Sequence, residues 1–380
     1  MSLFAQPVRI AEYTELPELQ ASRLISAQGS PVADVEMHIL GSQPKTRSAR
    51  KVRKTIPHLY IHELADIIYA DGILYSPRAK CALIDSFRSF GEGLTPRLYY
   101  GPDTRLRSLG RGFYVPENVL PATEVTAGAN QVFMPCFTSY PVYGHWLLEA
   151  LTSLWAHAHV QRLAGNVPVR LLLSPMANVP DYMKLFAEPF GITDYDFYYP
   201  SRRMRLERIF IPTKSYMHMA YVSEIAKKMW QHVVNYYLPD ATMDPVEKIY
   251  LSRRHIKTRR HENQEEVERF FEQQGFTIIE SQNLSLADQI CLFAHASRIV
   301  GPVGSAAHNV VFSQNPQQLK TLFFGPEDYT SFGAMAVIEQ AYGCLLYTSY
   351  HIGEKHQRCY MHTRIALGLR HRPCKVDWTH

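Results

Sequence analysis

A chain of 380 residues is long enough for two compact domains, each with its own core. Its 46% hydrophobic and 20% charged content excludes a disordered or fibrous protein. The net charge of +5 is mild, and no basic recognition helix or aromatic stacking module accompanies it, which argues against nucleic acid as a partner.

Residues 1–56 read as a polar, irregular N-terminal arm. The start, Met1-Ser-Leu-Phe-Ala-Gln-Pro, lacks a basic region followed by a long apolar one, so no secretory leader is expected. Lys45, Arg47, Arg50, Lys51, Arg53 and Lys54 cluster in one segment of the arm. A solvated linker is the favoured reading, with anionic lipid or an acidic polymer as the alternative. Nowhere does an apolar run approach the ~18 residues of a membrane span. Six cysteines without framework spacing add to the expectation of a reduced cytoplasmic protein, peripheral to a membrane at most.

From 57 to 125 the apolar segments are short, with strand candidates at Ile67–Tyr69 and Arg97–Tyr100. A clear alternation begins with a strand at Val132-Phe-Met-Pro and a helix over 145–160. A strand at 169–174, a helix from Pro180 to Phe190 closed by Gly191, a strand at 208–212 and a helix over 222–237 follow. Leu238-Pro-Asp-Ala-Thr-Met-Asp-Pro245 breaks the pattern and marks a domain boundary. Beyond it come a strand at 249–251 and a helix capped by Asn263, with Glu266 in capping-box position and Gly275 as its end. A strand at 276–280, a helix at 286–296, a strand at 298–301, a short helix at 306–312 and a strand at 321–324 complete the pattern. Strands alternating with helices predict parallel sheets covered by helices. The expected organisation is therefore an arm (1–56), two α/β domains (57–240 and 241–350) and a basic tail (351–380) packing back on the first domain.

Three motifs carry chemistry. Lys248-Ile-Tyr-Leu-Ser-Arg-Arg254 is an apolar strand ending in two arginines, followed by Arg259-Arg260. Arg298-Ile-Val-Gly-Pro-Val-Gly-Ser-Ala-Ala-His-Asn309 is a strand running into a small-residue turn. If both strands lie parallel in one sheet, guanidinium groups and backbone N–H groups meet at the edge where such sheets bind ligands, as a diphosphate requires. In the third motif, Tyr143-Gly-His-Trp-Leu-Leu-Glu149, Leu147, Leu148, Leu151, Leu154, Trp155 and Ala158 share one helical face. His145, Glu149 and Thr152 share another. A neutral His145 in the first turn can accept a proton, with Glu149 as its support; a polar solvent face is the competing reading.

These motifs in this order, together with Arg260-His-Glu-Asn263-Gln-Glu-Glu-Val267, resemble the family 61 glycosyltransferases over about 130 to 325. The resemblance implies a GT-B-like fold, two Rossmann-like doubly wound domains facing a cleft. It also implies an inverting mechanism, a nucleotide-sugar donor, a glycan or lipid-linked glycan acceptor, and no metal or other cofactor. It puts Arg253, Arg254, Arg260 and Asn263 with the donor, Gly304, Ser305 and Asn309 in the nucleotide pocket, and His145 with Glu149 at the catalytic face. The family commonly has a histidine where this chain has Val303, which keeps a non-catalytic binding protein as the second reading. Asp194-Tyr-Asp196 matches the spacing of a metal-binding Asp-x-Asp but reads as a polar turn. His356, Cys359, His362, His371 and Cys374 are too widely spaced for an expected zinc site.

Overall fold

The computed structural model describes residues 16–28, 55–89, 130–256 and 263–326, with gaps of one to three residues, together with short strands before 126 and at 345–351. Two compact units emerge: Met1–Ala33 with Val52–Tyr236, and Asp34–Lys51 with Tyr237–His380. Among the described residues no helix is long and apolar enough to cross a membrane.

The first unit is built on a large mixed sheet. Its antiparallel part contains β1 (Leu19–Ser26), β2 (Leu59–Ala70), β3 (Ile73–Ser76) and β4 (Cys81–Leu83). Its parallel part contains β5 (Val132–Pro135), β6 (Val169–Leu172), β7 (Phe197–Tyr198) and β8 (Arg203–Pro212). Spatial order runs β4-β3-β2-β8-β5-β6-β7, and β8 joins the two parts by pairing antiparallel with β2 and parallel with β5. The doubly wound expectation therefore holds for four strands, and the antiparallel half corrects it. Helical segments cover the parallel part: α1 (143–164), α2 (Asp181–Ala187) and α3 (Glu224–Tyr237). Leu64, Ile67, Phe133, Leu172, Leu206 and Ile209 sit in one buried cluster, so both halves of the sheet share a core.

The second unit follows the expected alternation. Its strands are β9 (Lys248–Leu251), β10 (Thr277–Ile279), β11 (Arg298–Pro302), β12 (Lys320–Pro326) and β13 (Leu345–His351), with helices α4 (Gln264–Gln273) and α5 (Leu286–His295). Their order is β10-β9-β11-β12-β13, all parallel. This is the 2-1-3-4-5 order of a doubly wound sheet, and it reverses direction between β9 and β11. Phe271 anchors the core: it stacks on Tyr250 at 5.2 Å and meets Phe276 edge-on at 5.1 Å. Gly275 stops α4 at φ +79, a left-handed turn that lets Phe276 N–H reach the Phe271 carbonyl at 3.0 Å.

The polar-arm expectation for residues 1–56 is not met. Leu19–Ser26 pairs with β2, Val8–Ala11 pairs with β4, and Glu36–Leu40 extends the second sheet beside β13. Lys45–Ser48, inside the supposed linker, is the antiparallel edge strand of that sheet. The tail after His351 lies outside the described residues.

Candidate active site

The switch point of the second sheet lies at the carboxyl ends of β9 and β11, and the two predicted donor motifs occupy those ends. Their convergence can be measured. A Cβ built on Gly304 would stand 2.5 Å from Arg253 Nη1, so the guanidinium lies directly over the glycine. Gly304 has φ 173, extended backbone open to any residue, so the glycine answers to the close approach and not to the turn. Gly301 marks a second close approach, since its Cβ would meet Leu251 Cβ at 2.8 Å and the Leu251 carbonyl oxygen at 2.9 Å. Burial lowers the pKa of the half-buried Arg253, but a guanidinium keeps its charge at neutral pH. A partly desolvated cation of this kind is suited to an anion.

The adjacent arginine has a different environment. Arg254 Nε donates to Glu268 Oε2 at 3.1 Å, and Nη2 donates to the same oxygen. Glu268 is buried on α4, and its other oxygen accepts from Ser252 Oγ at 2.6 Å and Gln264 Nε2 at 2.8 Å. Burial alone would raise the Glu268 pKa; the hydrogen bonds from Ser252, Gln264 and Arg254 outweigh it and hold the carboxyl below its ordinary value. Arg254 therefore fastens the post-strand turn to α4. The same network fixes the backbone from which Arg253 projects. At the end of β10, Glu280 Oε2 holds His255 Nδ1 at 2.7 Å.

The remaining donor candidates have mixed placements. Ser305 is half-buried and opens a 3-10 segment, Ser305–Phe312, where a short helix was expected. Asn309 is fully buried and its Nδ2 donates inward to Gln289 Oε1 at 3.3 Å, which makes it part of the packing beneath the turn. Asn263 precedes α4 as expected but makes no side-chain cap, because its φ −101 and ψ 33 depart from the extended geometry of an N-cap. Arg260 lies outside the described residues. Val303 is buried, its N–H bonded to the Phe324 carbonyl at 2.9 Å.

In the first unit α1 leaves the carboxyl end of β5 and carries the third motif. Its second turn, Trp146–Ala150, is π-helical, and Leu151–Ala156 is wound as 3-10 before regular helix resumes. Side chains support the irregular carbonyls. Trp230 Nε1 donates to Leu147 O at 2.9 Å, and Thr152 Oγ1 donates to Leu148 O and Glu149 O at 2.8 and 3.0 Å. Such widened turns recur at functional sites. Here the turn presents Glu149, whose side chain is only 2% exposed, so the solvent-face reading of this stripe fails.

His145 Nδ1 lies 3.0 Å from Glu149 Oε1. Against an ionised Glu149, which only accepts, a neutral His145 ring would carry its proton on Nδ1 and leave Nε2 as the acceptor. The His145 ring is a quarter exposed, with the buried Glu149 carboxyl group beneath it. A residue not anticipated from the sequence completes the group. His218 Nδ1 stands 4.0 Å from the same Glu149 oxygen, and the two imidazole centroids are 6.0 Å apart. The available signal was positional, since His218 follows the carboxyl end of β8, beside that of β5.

Asp194 and Asp196 serve as turn residues. Lys184 Nζ donates to Asp194 at 2.8 Å, and Asp196 Oδ2 accepts from Thr193 N and Oγ1 at 2.7 and 2.9 Å. Among the described residues no group of three or more His, Cys, Asp or Glu is placed to hold a metal.

Residues 143–319 match the family Glycosyltransferase 61. The chain carries a family 61 glycosyltransferase domain. The matched span starts at the first residue of α1 and takes in His145, Glu149, His218, Arg253 and Gly304. No curated protein matches the sequence. Glycosyl transfer is the chemistry that the geometry of this glycosyltransferase must serve.

Proposed function

We propose that this glycosyltransferase is an inverting, metal-independent enzyme of GT-B type that moves a sugar from a nucleotide-sugar donor to a glycan acceptor. The second unit binds the donor and the first supplies the base. The observation carrying this reading is the Arg253 guanidinium over Gly304 at the switch point of a doubly wound sheet.

The diphosphate lies against Arg253 and the backbone of the 304–306 turn, where cationic charge offsets the negative charge developing as the nucleotide leaves. An acceptor hydroxyl attacks the anomeric carbon from the opposite face and gives its proton to His145 Nε2. The new C–O bond forms as the bond to the β-phosphate oxygen breaks, with its electron pair leaving on the nucleotide. Glu149 fixes the tautomer and stabilises the imidazolium. It is too buried to meet the acceptor itself, which favours His145 over Glu149 as the base. The enzyme's place in surface-polysaccharide assembly, on a glycan or lipid-linked glycan acceptor, is supported by the motif resemblance, and the cytoplasmic side by the scattered cysteines.

The test is nucleotide release from a panel of nucleotide sugars, with Arg253→Ala beside the native enzyme. Release by the native enzyme with a strongly raised donor KM or lowered kcat in the variant is expected. Unchanged donor kinetics in the variant would remove Arg253 from the site.

A further inference from the structure

We propose that His218 is a positioning residue for the proton transfer, holding the Glu149 carboxylate in register with His145; the inference rests on His145 being the base. Glu149 Oε1 has His145 Nδ1 at 3.0 Å, a hydrogen bond, and His218 Nδ1 at 4.0 Å, within ion-pair range and one small shift from a hydrogen bond, so two ring nitrogens of the same kind face one buried oxygen. A carboxylate removed from water needs donors or cations around it to stay ionised. The first imidazole is a quarter exposed and has to change partners during turnover. The second is one-tenth exposed and has no need to move.

The segment bearing His218 is anchored for such a role. Strand Tyr216–Met217 pairs antiparallel with Tyr221–Val222, and His218 opens the turn between them, closed by Ala220 N–H to Met217 O at 3.0 Å. Ser215 Oγ donates to the Thr152 carbonyl at 2.7 Å, tying the hairpin to the turn of α1 that follows Glu149. Tyr216 meets Trp230 edge-on at 6.2 Å, and Trp230 in turn bonds Leu147 O inside the π-helical turn. The hairpin and the turn presenting Glu149 are thus one hydrogen-bonded assembly. His218 approaches the carboxylate from the hairpin and His145 from the preceding turn of α1.

The experiment compares His218→Asn, His218→Gln and His218→Phe, alone and in a His145→Ala background. An asparagine amide falls near the Nδ1 position, a glutamine amide near Nε2, and phenylalanine keeps the ring without any N–H. Expected is a kcat loss of about 10- to 100-fold in H218Q and H218F at unchanged donor KM, with H218N retaining most of the rate. No further loss should appear when H218Q is added to H145A, because the residue acts through the base. Should H218F fail to fold, H218N against H218Q carries the comparison. Equal rates in those two, a changed donor KM, or additive losses in the double variant would overturn the role of His218. A loss under tenfold in H145A alone would instead overturn the choice of base.

Discussion

Gly304→Ala is the sharpest perturbation of the proposed donor site, because it adds one methyl group where the backbone can accept it. At φ 173 alanine is unstrained, and the nearest atom to the new Cβ is Arg253 Nη1 at 2.5 Å, the far end of a flexible side chain. Restoring ordinary contact displaces the guanidinium by roughly 0.9 Å, and misplacement on that scale costs about 10²-fold. The folded state should scarcely notice. We expect kcat/KM for the donor to fall 30- to 100-fold, on the order of 2–3 kcal/mol, the range of a hydrogen bond to a charged group. The melting temperature should stay within about 2 °C. Arg253→Ala should cause a similar loss, and combining the two should add little, since both remove the same contact. Initial rates over a donor titration, with calorimetry on the same samples, read both quantities. Full activity in Gly304→Ala, or a strict sum of losses in the double variant, would refute the idea that Arg253 over Gly304 forms the donor site.

Gly301→Ala should do the opposite, costing about 1–3 kcal/mol of stability by overpacking, because its Cβ meets Leu251 Cβ and the Leu251 carbonyl at 2.8 and 2.9 Å; denaturant unfolding reads it. His145→Ala should lower kcat by about 10²–10⁴ with little change in donor KM, in steady-state assays at saturating acceptor. Glu268→Gln should flatten the acid limb of stability. The folded pKa of Glu268 is depressed, so its contribution is complete above the ordinary value of about 4.3 and is lost as pH falls through the lower folded value. Unfolding midpoints of the native enzyme and the variant should therefore converge at acid pH. Excess chelator should leave turnover unchanged; abolition that added divalent cation reverses would bring Asp194 and Asp196 back as metal ligands.

The parallel strands were legible because they are buried on both faces and read as unbroken apolar runs, as Val132–Met134 and Ile249–Leu251 do. The antiparallel half was not. In β1 burial alternates from Leu19 to Ile25, with Leu19, Ala21 and Ile25 on the less exposed face, but two residues in the middle invert the pattern: Arg23 shares that face and bonds Glu63 at 3.0 Å, while Leu24 is 53% exposed. With an arginine on one face and a leucine on the other at its centre, the strand shows too short an alternation to be detected. The face assigned to α1 held from Leu147 through Trp155 and failed only at its last member, Ala158. Projection at 100° per residue assumes regular helix, and the π-helical and 3-10 turns change that angle before residue 158. Ala158 is exposed, whereas Ala156 and Val160 are buried.

The site divides along the same line. Residues carried by a strand end or a first helical turn, Arg253, Gly304 and His145, could be placed from local pattern. Partners contributed by other elements could not. Two adjacent arginines after an apolar strand look equivalent in sequence. Glu268, fourteen positions beyond Arg254, ties Arg254 to α4, while burial over Gly304 sets Arg253 apart. His218 is 69 positions beyond Glu149 and reaches it only through the hairpin docked on α1. The proposed donor and proton-transfer groups therefore each pair a legible residue with an illegible one. The hidden partner is in both cases tied to a backbone that the local pattern cannot orient, the post-strand turn by Glu268 and the irregular helix by the hairpin of His218.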